Sequence, residues 1–187
     1  MFVQIPPVRQ TGSGKTYCMM GASEGEHRGI IPRLCEELYQ RIELDLNYTI
    51  TVEMQYYEIY NERVFDLLAR RETKGKKGAR VPLLKVRESP AVGPYIQGIT
   101  SFAVENTNAI HQLIAQGQAN RHVGATAMNA ESSRSHAVLM LNVTHKIKAG
   151  ANTGEFADED LEKTSKLNLV DLAGSERQNK SQVSACH

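Results

Sequence analysis

Two hydrophobic periodicities divide the chain. In "IIPRLCEELYQRIELDL" the apolar positions Ile31, Leu34, Cys35, Leu38, Ile42 and Leu46 recur at helical spacing, which predicts one helix with one core face; Pro32 falls in the first turn, where its missing N–H costs nothing. Over residues 48–59 the period drops to two. Tyr48, Ile50, Val52, Met54 and Tyr56 share one side, and Thr49, Thr51, Glu53 and Gln55 the other, predicting a strand. Lys15 to Met20 open an earlier helix, which the glycines and charges of residues 21–29 interrupt. "NERVFDLL" predicts a short helix capped by Asn61. "LLKVRE" and "YIQGITSF" are β-prone and separated by Pro90, Gly93 and Pro94, a hairpin pattern that disfavours a central place in a sheet. Asn106 or Thr107 then caps a helix carrying Ala109, Ile110, Leu113 and Ile114, with fraying expected near Gly117. "AVLMLNVTHKI" and "KLNLVDL" predict two more strands, joined by the solvated linker 148–165.

Composition narrows the class. A chain of 187 residues with 41% hydrophobic residues has the size of one domain and can bury a core. Lys and Arg number 22 against 21 acidic residues, a near-neutral balance that gives no general attraction to nucleic acid or membrane. A charge-driven partner must therefore be met locally, and Arg70, Arg71, Lys74, Lys76, Lys77 and Arg80 form the one dense basic loop. That loop reads equally as a solvated connector. Cys18, Cys35 and Cys186 show no paired spacing, which predicts reduced, inert thiols. No apolar run approaches the roughly 20 residues of a membrane span, and "MFVQIPPVR" lacks the apolar centre of a signal peptide, so a cytoplasmic protein is expected.

Three loops carry candidate chemistry. In "QTGSGKTY", residues 10–17, glycines let backbone N–H groups converge on phosphate oxygens, a lysine neutralises the outer phosphates and a hydroxyl ligates magnesium. Gly12, Gly14, Lys15 and Thr16 fill those roles, although the first glycine of the usual G-x-x-x-x-G-K-[ST] pattern is Arg9, whose β-carbon strains the loop. The second loop, "NAESSRSH" at residues 129–136, packs hydroxyls around one arginine, as a sensor of a terminal phosphate requires. The third, "DLAGSER", follows a strand end: Asp171 can hold magnesium through water, the Gly174 N–H can touch the terminal phosphate, and Glu176 can pair with an arginine across the site. Singly, each loop also reads as an ordinary polar turn.

Together "QTGSGKTY", "YNERVFDLL", "NAESSRSHAVL" and "LNLVDLAGSER" resemble the nucleotide loop, a following element and the two switch loops of the kinesin motor domain, and "KVRESPAVGPYIQGI" resembles the hairpin of the third, vesicle-transport kinesin subfamily. The resemblance implies an α/β fold, a P-loop NTPase-like mixed central sheet flanked by helices, in the form of an incomplete kinesin motor core. Residues 1–9 form a non-motif N-terminal segment and residues 10–187 a partial motor domain. It implies ATP and Mg2+ as ligands. Gln10, Thr11, Gly12, Ser13, Gly14, Lys15, Thr16, Tyr17 and Asn129 would contact the nucleotide; Thr16, Ser133 and, through water, Asp171 would hold magnesium. Ser132 and Gly174 would register the terminal phosphate, and Arg134 and Glu176 would close the switches around the attacking water. The expected activity is ATP hydrolysis coupled to movement along microtubules, with tubulin as partner, a cytoskeletal location, and neither nucleic acid nor membrane contacted by this segment. The alternative is a kinesin-derived chain that binds nucleotide or microtubules without turnover. Pro6 and Pro7 exclude a central strand just before the phosphate loop, which predicts that the strand ending at Asp171 is left as an unpaired apolar edge.

Overall fold

The structure is a computed structural model that describes residues 2–3, 14–21, 27–70, 83–90, 93–125, 135–148 and 162–174. Its elements run β1 (Phe2–Val3), α1 (Lys15–Met20), α2 (Ile30–Leu44), β2 (Tyr48–Tyr60), β3 (Arg63–Asp66), β4 (Leu83–Ser89), β5 (Gly93–Gln97), β6 (Phe102–Val104), α3 (Thr107–Ala125), β7 (His136–Ile147) and β8 (Lys163–Asp171). They form a mixed α/β architecture. The sheet order is β1-β8-β7-β2-β3-β4-β5, with β6 paired to β2 beyond β3; β1 runs parallel to β8, and the remaining pairs are antiparallel.

The alternation read from the sequence sets the core. Val52, Met54 and Tyr56 of β2 face inward, and the register places them opposite Val143, Leu141 and Leu139 of β7, with Leu141 and Leu139 in turn opposite Leu167 and Leu169 of β8. Met19 of α1, Ile31, Cys35 and Tyr39 of α2, and Ile110 and Ile114 of α3 complete the same cluster. Both long helices close their ends as their sequences dictate. Asn106 Oδ1 accepts from the Ala109 N–H at 2.9 Å as the cap of α3, and Asp45 Oδ1 accepts from the Asn47 and Tyr48 N–H groups in the turn into β2. Leu46 lies in that turn, exposed, rather than on the helix face.

Four further expectations change. "NERVFDLL" is a hairpin return, not a helix: Asn61 and Glu62 both have positive φ, 48° and 60°, and join Tyr60 to Arg63 as a two-residue turn of the mirror-image type whose twist suits paired strands. "YIQGITSF" divides between β5 and β6, because Gly98 (φ 76°) turns the chain and β6 returns to pair with Val52–Met54 of β2. Helix α3 continues through Gly117 to Ala125. Its glycine is there for approach, since a β-carbon would stand 2.3 Å from Tyr56 Cδ1. Finally, β8 is not a bare edge: Phe2 and Val3 pair with Asn168 and Leu169, ahead of the prolines that remove donors at positions 6 and 7.

The connection between α1 and α2 is pinched shut. Gly21 (φ 68°) bridges Arg28, the Gly29 N–H donates to the Met20 carbonyl at 3.1 Å, and a β-carbon on either glycine would meet backbone at 2.0–2.4 Å. At the far side Asp66, 4% exposed, accepts from the N–H groups of Leu68, Ala69 and Thr100, which ties the end of β3 to the segment before β6.

Candidate functional site

Asp171 is the last residue of β8 and shares the inward side with Leu167 and Leu169. Register makes its surroundings. Asp171 lies opposite Ala137, and Ala137 opposite Glu58, so two carboxylates stand in one row across three strands with a methyl group between them. Neighbouring strands are about 4.8 Å apart, so the two backbones are separated by roughly 10 Å, a gap of guanidinium size. Arg121 fills it. Its Nε donates to Glu58 Oε1 at 2.9 Å, its NH2 to the Ser135 Oγ at 2.9 Å and the Ser135 carbonyl at 3.2 Å, and its NH1 lies 3.8 Å from Asp171 Oδ2. Ser135 Oγ donates in turn to Glu58 Oε1 at 2.5 Å. The three charged side chains are only 10–14% exposed.

The helix delivers Arg121 there by spacing. Gly117 and Arg121 are one turn apart on α3, about 6 Å, while Tyr56 and Glu58 are two residues apart on β2, about 6.6 Å, so the glycine seated on Tyr56 sets the arginine over Glu58. Burial pushes the Tyr56 hydroxyl up to about 12; Arg121 pulls it down, while Asp171 and Glu58 add to the rise.

From the other side comes α1. Gly14 caps it with φ 80°, a left-handed conformation that favours glycine, and Thr16 in its first turn donates through Oγ1 to Asp171 Oδ2 at 2.8 Å. Two residues 155 positions apart in sequence therefore meet. The other oxygen, Asp171 Oδ1, is buried without a partner among the described residues. A threonine hydroxyl and a carboxylate, one of whose two oxygens is buried without a partner among the described residues, form a hard-oxygen donor set that fits a magnesium ion and its waters. Beyond β8, the Ala173 N–H donates to His136 Nδ1 at 3.0 Å, linking the start of β7 to the segment that follows Asp171.

Of the residues singled out from sequence, Gly14, Lys15, Thr16, Tyr17, Asp171 and Gly174 are described; Lys15 is half-buried and Tyr17 exposed. Gln10, Thr11, Gly12, Ser13, Asn129, Ser132, Ser133, Arg134 and Glu176 lie outside the described residues. The structure brings Thr16 and Asp171 together and adds Glu58 and Arg121, which lie outside the three candidate loops, and Ser135, which lies in the second loop without a role assigned from sequence. A signal for the first two existed. Glu58 continues the inward side of β2 after Tyr56, and Arg121 continues the Ile110, Ile114, Gly117 face of α3, so each is a charge at a core position.

The kinesin motor domain family model matches residues 9–186. The chain belongs to the kinesin motor-domain family. Among curated kinesins it is 47% identical over 176 residues to kinesin-like protein KIF13A of Mus musculus, and 46% identical over 170 residues to kinesin-like protein KIF1A of Rattus norvegicus, covering 91% and 90% of this chain. It spans only 9% of the length of each. A solved kinesin, "Structure of a fast kinesin: Implications for ATPase mechanism and interactions with microtubules", superposes with a TM-score of 0.75 at 37% identity, over 95% of this chain and 46% of that one. The fold is thus part of a kinesin motor core.

Proposed function

We propose that this chain is the nucleotide-handling part of an ATP-hydrolysing microtubule motor, with ATP and Mg2+ as its ligands. The supporting observation is the Thr16–Asp171 hydrogen bond, which joins the phosphate loop to the strand end that a magnesium triphosphate would bridge. In this reading residues Gln10 to Tyr17 and Asn129 cradle the nucleotide, with Lys15 on the outer phosphates. Thr16, Ser133 and Asp171 hold the metal, Asp171 through water. Magnesium supplies charge neutralisation on the phosphates. Ser132 and the Gly174 N–H report the terminal phosphate, and Arg134 and Glu176 close around the attacking water, Glu176 accepting its proton through a second water. Loss of phosphate reopens the two switches, which is the change a motor transmits to its track. The partner is the acidic surface of tubulin, met by the β4–β5 hairpin, where Lys85 and Arg87 are exposed, and by the basic loop before it; the location is cytoplasmic and microtubule-associated.

Nucleotide binding by the purified chain, with magnesium and ATP, tests the reading. Lys15→Ala removes a charge-assisted contact to phosphate and weakens binding at least about tenfold. Glu176→Ala binds like the wild type and does not turn over. Unchanged affinity in the lysine variant refutes the phosphate-loop assignment.

A further inference from the structure

Arg121 stands between two partly buried carboxylates yet treats them differently. Toward Glu58 it makes a direct hydrogen bond at 2.9 Å; toward Asp171 the approach stops at 3.8 Å, outside hydrogen-bond range. Three contacts account for the asymmetry. Glu58 Oε1, Ser135 Oγ and the Ser135 carbonyl all hold the guanidinium on the β2 side of the Ala137 gap. Glu58 is itself fixed, because the same oxygen that accepts from Arg121 accepts from Ser135 Oγ. The consequence falls on Asp171. It has Thr16 on Oδ2 and, among the described residues, no partner on Oδ1, although a guanidinium that could swing across would close on a carboxylate with two parallel hydrogen bonds.

We propose that Glu58 and Arg121 are positioning residues for the cation site: Glu58 restrains Arg121 so that Asp171 keeps an oxygen open to a metal-bound water, and balances the positive charge that would otherwise repel a divalent ion. The inference rests on the nucleotide-binding reading above and deepens it. Two effects act in the same direction. Without the Glu58 charge, the arginine is released toward Asp171, and one balancing negative charge is lost from beside the place where magnesium binds. Ser135 adds a link to the start of β7, since it precedes His136 and bonds to both members of the pair.

The test separates metal dependence from nucleotide affinity. Binding of a fluorescent ADP analogue to the full 187-residue chain is titrated with Mg2+, and repeated in EDTA, with thermal melting followed in parallel. Glu58→Gln, close to isosteric, is expected to raise the half-saturating Mg2+ concentration about tenfold, equivalent to about 1.4 kcal/mol, while EDTA binding changes less than about twofold. Glu58→Asp keeps the charge and restores most of the wild-type magnesium dependence. Ser135→Ala removes no charge and serves should Glu58→Gln not fold; it is expected to raise the magnesium requirement about threefold, in the same direction. A Glu58→Gln protein that melts earlier but keeps the wild-type magnesium curve, or equal losses with and without metal, overturns the inference and leaves the nucleotide site standing. A wild-type chain that binds no nucleotide at any magnesium concentration overturns both.

Discussion

The approach of α3 to the sheet is the dimension on which the candidate site depends, and Gly117→Ala tests it. Gly117 sits inside a regular helix, where alanine is preferred over glycine by about 1 kcal/mol, so propensity alone predicts a more stable protein. Packing predicts the reverse. The added β-carbon would lie 2.3 Å from Tyr56 Cδ1, 2.6 Å from Cε1 and 3.4 Å from Leu67 Cβ. Carbon atoms rest at about 3.5–4.0 Å, so helix and ring must part by roughly 1 Å. The ring has little room to yield, being 5% exposed and held on a strand paired along its length with β7. Overpacking of this severity belongs at the upper end of the usual range, about 3 kcal/mol, which leaves a net loss of about 2 kcal/mol after the helical gain. For a chain of this size that lowers the melting temperature by about 4–8 °C, readable by circular dichroism. Combining Gly117→Ala with Tyr56→Leu relieves the clash, and the pair should be less destabilised than the sum of the single changes by about 0.5–3 kcal/mol. A Gly117→Ala protein as stable as the wild type, or more so, refutes the reasoning.

Two further outcomes follow from buried groups. Asp66→Asn turns an acceptor into a donor facing one of the N–H groups of Leu68, Ala69 or Thr100. The expected cost is about 1–3 kcal/mol in urea unfolding, and an unchanged midpoint would show that the three bonds do not hold the β3 end. Burial pushes the Cys35 thiol from 9.0 up to about 12, with Glu36 adding to the rise, and burial likewise pushes Tyr56 from 10.0 to about 12. Both groups are neutral in the fold and lose protons earlier in the unfolded chain. Stability is therefore intact below pH about 9 and falls as pH rises toward about 12, by up to about 1.4 kcal/mol per pH unit for each group. A urea midpoint that stays flat across that window refutes it.

What the sequence disclosed, and what it withheld, divides along a physical line. Elements whose own periodicity meets the core were legible: α2, β2, β7 and β8 match their hydrophobic patterns, since side-chain spacing and burial report the same fact. Elements fixed by a partner were not. "RVFD" is a strand because β2 and β4 lie on either side of it, and the turn that returns it needs two residues of positive φ that Asn61 alone only hints at. Phe2 and Val3 are a strand because β8 offers an edge, and the prolines that follow speak only for their own positions. The site divides in the same way. Thr16 and Asp171 stand in motifs that local sequence marks out, and their hydrogen bond joins those motifs, whereas Glu58 and Arg121 owe their meeting to register: Glu58, Ala137 and Asp171 share a row only once β7 is laid between β2 and β8. Each taken alone is a charge at an inward position, a local conflict between pattern and chemistry that costs several kcal/mol per ion unless answered. Two opposite charges at inward positions of different elements are most economically explained by each other. That pairing, rather than the loops, is what a sequence without structure can add next: inward charges on periodic elements should be matched across the fold before any is assigned to the surface.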